Sequence, residues 1–388
     1  MWRHIASNFL TLLVVLIFLL GGVILWGQRQ YNSAGPLPDT ICLQVPGGST
    51  FSEISELLAS EGAVSNASIL RIGADYADKT RLLKAGSWLI PENASMAEIT
   101  DLITRGGAST CGTEVIYRIG VNSGEVEVRE LDPATNRFVQ RAEFDPFAEE
   151  PVPEVYAEVR ARADTRYRVS MAEGVTSWQV VNVLGEIDAL DGEVETIPPE
   201  GSLAPDSYEF SAGDARVDVL ERMQGAQAAL LAAAWAARDP DVPLETPEEA
   251  LILASIIEKE TGVGSERPQV ASVFVNRLER GMRLQTDPTV IYGITNGVGV
   301  LGRGVRQSEL RRATPYNTYV IDGLPPTPIA NPGEASLMAA VQPPETDLLF
   351  FVARTLDPRD GHNFAATLDE HNRNVAAYRA LEREVTDQ

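Results

Sequence analysis

Residues 246–294 read TPEEALILASIIEKETGVGSERPQVASVFVNRLERGMRLQTDPTVIYGI. Thr246, Pro247 and Glu249 make a strong helix start: a capping hydroxyl, a proline at the first helical position and a carboxylate in the first turn. The spacing predicts a helix through Glu260 and Thr261, with Gly262 as its stop. Glu260 lies seven residues after Leu253, four after Ile256 and three after Ile257, so it continues the bulky apolar stripe. Glu258 is in phase with Leu251, Ala254 and Ser255, a smaller and more mixed face. A carboxyl on a core-facing stripe loses solvent, and desolvation raises its pKa. A glycosidase general acid needs that shift to stay protonated near neutral pH. The half-exposed last turn of an ordinary helix would show the same phase, so phase alone leaves both readings open.

A second helix is expected from Glu266 to Arg280, capped by Ser265 and stopped by Gly281, and the turn signal Asp287-Pro288 follows it. Gln285, Thr286, Asp287 and Tyr292 offer polar side chains suited to sugar hydroxyls and acetamido groups. Farther on come TPYNTY (314–319), which brings Tyr316 and Asn317, then GLPPTPIANPG (323–333) and GHNF (361–364). Loops of this composition run over surfaces, where sites are built.

Toward the N-terminus, Val217–Ala237 reads as an Ala-rich packing helix. MAEGVTSWQVVNVL (171–184) echoes VPGGSTFSEISELL (45–58), glycine for glycine and capping Thr for capping Thr. One echo leaves open whether a unit was duplicated or two helix starts obey the same physics. Residues 108–165 hold the alternating stretches Glu114–Ile119 and Val126–Leu131, then the acidic EFDPFAEEPVPE. A β-rich insertion and an exposed acidic connection are expected there. Residues 41–107 alternate strand, helix, helix, strand and helix, a small α+β module, and residues 28–40 read as a linker.

Before that linker stands FLTLLVVLIFLLGGVILW (9–26), uncharged and strongly apolar. With its flanks it is long enough to cross a bilayer core of about 30 Å, and no small-residue cleavage site follows it. The expectation is a retained single-pass helix at 9–27, with residues 1–8 cytoplasmic and the remainder outside. The chain of 388 residues has a net charge of -23, which argues against nucleic acid as a partner. Its three histidines, His4, His362 and His371, have no metal-ligand spacing. Cys42 and Cys111 bracket the first module, and the sequence leaves a bridge or two thiols equally open.

LASIIEKETGVGSERPQVASVFVNRLERGMRLQTDPTVIYGI, with TPYNTY, GLPPTPIANPG and HNF after it, resembles the endolytic murein transglycosylases of the MltG (YceG-like) family. The resemblance is dense from Leu253 to His371 and keeps its order from Ile41, and APDSYEF (204–210) resembles a further family stretch. It implies an α+β fold: a transmembrane helix, a LysM-like module at 41–107 and a catalytic domain at 166–388, with 108–165 extra. The second Glu of the family's EKET motif falls on Glu260, the implied catalytic residue, with Gln285, Thr286, Asp287, Tyr292, Tyr316 and Asn317 as candidate substrate contacts. The implied activity cleaves MurNAc-GlcNAc bonds in nascent glycan strands, leaves 1,6-anhydro ends and terminates elongation, with no metal or cofactor. Peptidoglycan is then the substrate, the inner membrane the anchor site, the periplasm the compartment, and peptidoglycan synthases or division proteins the neighbours. Two alternatives stand beside it. One is a non-catalytic peptidoglycan-binding scaffold; the other is a pyridoxal-dependent lyase, for which Lys259 would have to form the Schiff base.

Overall fold

A computed structural model describes residues 2–107, 109–148, 151–162 and 165–386; Glu149 and Glu150 of the expected acidic connection lie outside the described residues. The structure is mixed α+β and divides into two units. The first comprises Met1–Val115, Glu127–Glu143 and Pro151–Arg166; the second comprises Ile116–Val126, Phe144–Glu150 and Tyr167–Gln388. Residues 108–165 contribute to both units.

The first unit opens with α1 (Trp2–Asn32), β1 (Ile41–Val45), α2 (Phe51–Ser60), α3 (Ala67–Tyr76), β2 (Gly86–Ile90) and α4 (Met96–Arg105). In α1, Leu10–Asn32 spans 23 residues, and its most apolar 18-residue window has a mean hydropathy of 2.7; at about 1.5 Å per residue the helix is long and apolar enough to cross a membrane. β1 and β2 pair antiparallel, Ile41 opposite Ile90. Leu43, Leu58, Leu70, Ile99 and Ile103 fill the core between that ribbon and the helices. Thr50 and Ser95 cap α2 and α4 through complete capping boxes with Glu53 and Glu98, each cap stabilising its helix by about 1 kcal/mol. In the segment read as a linker, α1 continues to Asn32, Tyr31 packs half-buried against the core cluster and Leu37 is buried, while residues 33–40 form no regular element. Cys42 and Cys111 are disulfide-bonded, which resolves the pairing that the sequence left open.

The strands β3 (Thr113–Ile119), β4 (Gly124–Asp132) and β5 (Arg137–Phe144) and the short α5 (Glu154–Arg160) follow, so this stretch is β-rich as its alternation indicates. The second unit continues with β6 (Arg166–Met171), α6 (Ser177–Glu186), β7 (Ser207–Phe210), α7 (Arg216–Ala236), α8 (Pro247–Glu260), α9 (Arg267–Glu279) and α10 (Asp287–Thr295). It ends with α11 (Gln307–Leu310), α12 (Glu334–Val341), β8 (Phe350–Ala353), β9 (His362–Ala365) and α13 (Leu368–Thr386). α8 packs against α7, α9 and α12 around Leu253, Ile256, Ile257, Phe274 and Leu337, all fully buried. The echoed segments adopt one geometry. Gly48 and Gly174 turn at φ 84° and 79°, and Thr50 and Thr176 cap at φ/ψ of -86/154 and -84/155.

Two helix ends differ from expectation. α9 begins at Arg267, after a 3-10 turn at Gly264–Glu266, because Pro268 sets the first helical turn one step later than a Ser265 cap would. α8 stops because Thr261 turns extended (φ -136°, ψ 130°), with Gly262 outside the left-handed region. Thr261 is β-branched and buried, and extended backbone suits it.

The disulfide joins residues 69 apart in sequence, and closing a loop of that size stabilises by about 2–4 kcal/mol. Cys111→Ser should lower the unfolding free energy of the first unit by that amount. The unreduced wild type, unfolded in denaturant, should show no titratable thiol.

Candidate active site

Glu260 is the last residue of α8 and stands on the stripe that Leu253, Ile256 and Ile257 bury. Its Oε2 accepts a 2.6 Å hydrogen bond from Thr286 Oγ1. Thr286 occupies the N-cap position of α10, yet its hydroxyl caps nothing in its own helix; it is turned toward Glu260 instead. Burial pushes the Glu260 carboxyl above the ordinary carboxylate range, opposed by the Thr286 bond and by the charges of His362 and Arg277, while Asp287 adds to the rise. Its place in the last turn of α8 acts the same way, since the negative end of a helix dipole disfavours a carboxylate. Among the described residues no lysine or arginine forms an ion pair with it.

Thr286 is itself held in place. Its N–H donates to Thr318 Oγ1 at 3.1 Å, and that oxygen lies 2.9 Å from Thr289 Oγ1. The Gln285 N–H donates to Thr318 O at 3.1 Å, with Gln285 in the left-handed region at φ 50°. A side-chain-bearing residue there stores strain on the order of 1 kcal/mol or more. Arg277, 7% exposed, donates from Nε to Leu349 O and from Nη1 to Leu284 O. Burial pushes this guanidinium below its ordinary pKa, and the Glu260 charge pulls it back up. Asp287 accepts a 2.7 Å bond from the Tyr319 hydroxyl, whose own pKa is raised by burial first and by Asp287 next. Across the site Glu266 accepts from the backbone N–H of His362 at 2.9 Å and lies 2.9 Å from its Nδ1, which fixes the ring.

Of the sequence candidates, Thr286 and Asp287 gather with Glu260. Gln285 contributes its backbone, and its side chain is exposed. Tyr292 and Tyr316 meet ring to ring, centroids 5.0 Å apart. The Tyr292 hydroxyl donates to Glu200 Oε2 at 3.2 Å, and that of Tyr316 lies 2.8 Å from Thr327 Oγ1. Tyr292 also lines a cavity of about 270 Å³ with Lys259, Thr176 and Gln179. Asn317 is not a surface contact. It is 1% exposed, and its amide donates to the carbonyls of Glu309, Leu310 and Arg312 while its Oδ1 accepts from Tyr319 N–H. Every polar atom of that side chain is committed to holding the 309–319 loop.

The sequence reading missed Arg277, Thr318, Tyr319, Glu266 and Glu200, and gave His362 no role. Arg277 was within reach: it follows Val270, Val273 and Phe274 by seven, four and three residues, the same phase that singled out Glu260. Glu266 and His362 are 96 residues apart, and no local pattern links them.

The YceG-like family model matches residues 43–377. This chain belongs to the YceG-like family. It is 26% identical over 362 residues to the endolytic murein transglycosylase of Bacillus subtilis strain 168, covering 93% of this chain and 91% of that protein. It is 25% identical over 386 residues to the protein of the same name from Streptococcus pneumoniae D39, covering 97% of this chain and 66% of that protein. A crystal structure of a yceG-like protein from Listeria monocytogenes shares 28% identity, over 87% of this chain and 99% of that one, with a TM-score of 0.42.

In this YceG-like chain the neighbours of Glu260 have separate tasks. Glu258 is the more enclosed carboxylate, 9% exposed, but it is paired with Arg267 Nη2 at 2.8 Å and accepts the Gly333 N–H at 3.0 Å. Lys259 points into the 270 Å³ cavity and donates to Gly174 O at 3.1 Å; burial lowers its pKa, against the charges of Glu258 and Glu200. Removing one partner of a buried ion pair costs about 3 kcal/mol, so Glu258→Gln should lose on that order in denaturant unfolding. Glu260→Gln should do the opposite. A carboxyl with a raised folded pKa contributes stability below its unfolded pKa and loses it as pH rises through the folded value. The thermal midpoint of Glu260→Gln should match wild type in acid and exceed it at neutral pH and above.

Proposed function

We propose that this chain is a peptidoglycan lytic transglycosylase with Glu260 as its catalytic acid and base. The observation that carries the proposal is a desolvated carboxyl with one hydroxyl donor and, among the described residues, no lysine or arginine ion-pair partner, at the half-buried C-terminal end of α8. Protonated Glu260 donates to the departing glycosidic oxygen between N-acetylmuramic acid and N-acetylglucosamine. The resulting carboxylate then takes the proton of the muramic acid 6-hydroxyl, which closes on the anomeric carbon as a 1,6-anhydro ring. No water enters the balance, and one carboxyl suffices because the substrate carries its own nucleophile. Thr286 and the positive N-terminal end of α10 stabilise the carboxylate between the two steps. The paired rings of Tyr292 and Tyr316 offer an aromatic platform for the sugar faces.

The names of the relatives support the same reading. On it, α1 anchors the chain with its N-terminus in the cytoplasm, and the residues after α1 lie in the periplasm. Residues 41–107 serve as a LysM-like glycan-binding module and 166–388 as the catalytic domain. Cutting within nascent strands, the enzyme terminates their elongation beside the peptidoglycan synthases.

Losing a general acid typically lowers the rate about 10²-fold to 10⁴-fold, so Glu260→Gln should release soluble fragments from purified sacculi that much more slowly while still binding them. The rate of the wild type should fall on the alkaline side as Glu260 loses its proton. Thr286→Val removes a bond that lowers the Glu260 pKa, so that limb should move to higher pH. If Glu260→Gln works at the wild-type rate, the acid is misassigned. If the wild type releases nothing, the chain is a binding scaffold.

A further inference from the structure

α1 does not end with its apolar run. Tyr31 lies five residues beyond Trp26 on the same helix, about 7.5 Å farther along its axis at 1.5 Å per residue. The ring of Tyr31 sits so close to Gly73 of α3 that a Cβ at that glycine would approach within 2.3 Å of it. α3 is therefore fixed beside the stretch of α1 that leaves the hydrocarbon core. Each headgroup layer is roughly 5–7 Å thick, so α3 stands at its level.

The outer face of α3 suits that depth. Ile72 and Tyr76, four residues apart on one face, are 69% and 85% exposed, more than any other large apolar side chain among the described residues outside α1. Leu82, 50% exposed, lies just beyond α3 in the 3-10 turn Thr80–Leu82. A core-forming role does not account for them, and tyrosine is favoured at membrane–water interfaces. The same stretch carries Arg71, Lys79, Arg81 and Lys84 against Asp75 and Asp78, a positive balance in a chain whose net charge is -23. Lys79 pairs with Asp101, whereas Arg81 and Lys84 are exposed. Apolar side chains flanked by basic ones are what an anionic lipid surface binds.

We infer that the α3 face of Ile72 and Tyr76, with Arg81, Leu82 and Lys84 in the segment after it, is a second membrane contact, lying in the anionic headgroup layer into which α1 emerges. This rests on α1 spanning the bilayer. The first unit is then seated on the membrane at a fixed height, not suspended from a tether.

The test uses the full chain in liposomes of phosphatidylethanolamine and phosphatidylglycerol. The two native cysteines are bridged and no other exists, so Ile72→Cys, Tyr76→Cys, Val15→Cys and Leu381→Cys each introduce one labelling site for a nitroxide. Collision rates with oxygen and with an aqueous nickel chelate report depth. Labels at 72 and 76 should be largely lost to the chelate and fall between the core-like label at 15 and the aqueous label at 381. Arg81→Ser with Lys84→Ser should return the label at 76 toward the aqueous value. Core-like behaviour at 15 with fully aqueous behaviour at 72 and 76 overturns this contact and leaves the anchor standing. Aqueous behaviour at 15 overturns both.

Discussion

The hydrogen bond from Thr286 to Glu260 is the contact on which the site depends. It joins the end of one helix to the beginning of another, so a carboxyl that would prefer to be neutral at the first meets a donor and a favourable dipole at the second. A general acid that must afterwards act as a base needs this balance. Burial alone would keep the proton on, and a cationic partner would keep it off.

Much of the second unit serves to hold that contact. Arg277 grips the carbonyl of Leu284, Thr318 takes the N–H of Thr286, and Gln285 between them is forced into left-handed backbone. Asn317, expected at the surface, is spent inside the loop that delivers Thr318 and Tyr319. The cost is local: strain at Gln285 and a desolvated carboxyl at Glu260. The fully buried apolar packing of α8 against α9 and α12 offsets it. Sites that keep strained or desolvated groups commonly give up stability for function.

The helices and short strands of residues 41–107, the helices α7, α8 and α9 and the caps were legible in the sequence because each is a local pattern, whereas α10, read as a turn at Asp287-Pro288, and the elements after it were not. Thr50, Ser95, Thr176 and Thr246 all cap the helices that their spacing announced. Helical phase also singled out Glu260, although its neighbour Glu258 proved the more enclosed of the two. Phase reports which face a residue occupies, and the pairing with Arg267 that makes Glu258 structural lies in the tertiary fold. The apportioning of residues 108–165 between two units, the disulfide and the orientation of His362 by Glu266 are long-range and left no local mark. Within the stretch read as a linker, α1 takes the first residues to Asn32 and Leu37 is buried, while residues 33–40 form no regular element.

The central claim is that bond cleavage proceeds without water, through one carboxyl that gives and then takes a proton. Digestion of sacculi in water enriched in oxygen-18, followed by mass spectrometry of the released muropeptides, tests it most directly. Intramolecular closure predicts muramic acid ends about 18 Da lighter than reducing ends, with no heavy oxygen incorporated. Reducing ends that carry the label would show that water is the nucleophile and would contradict the claim.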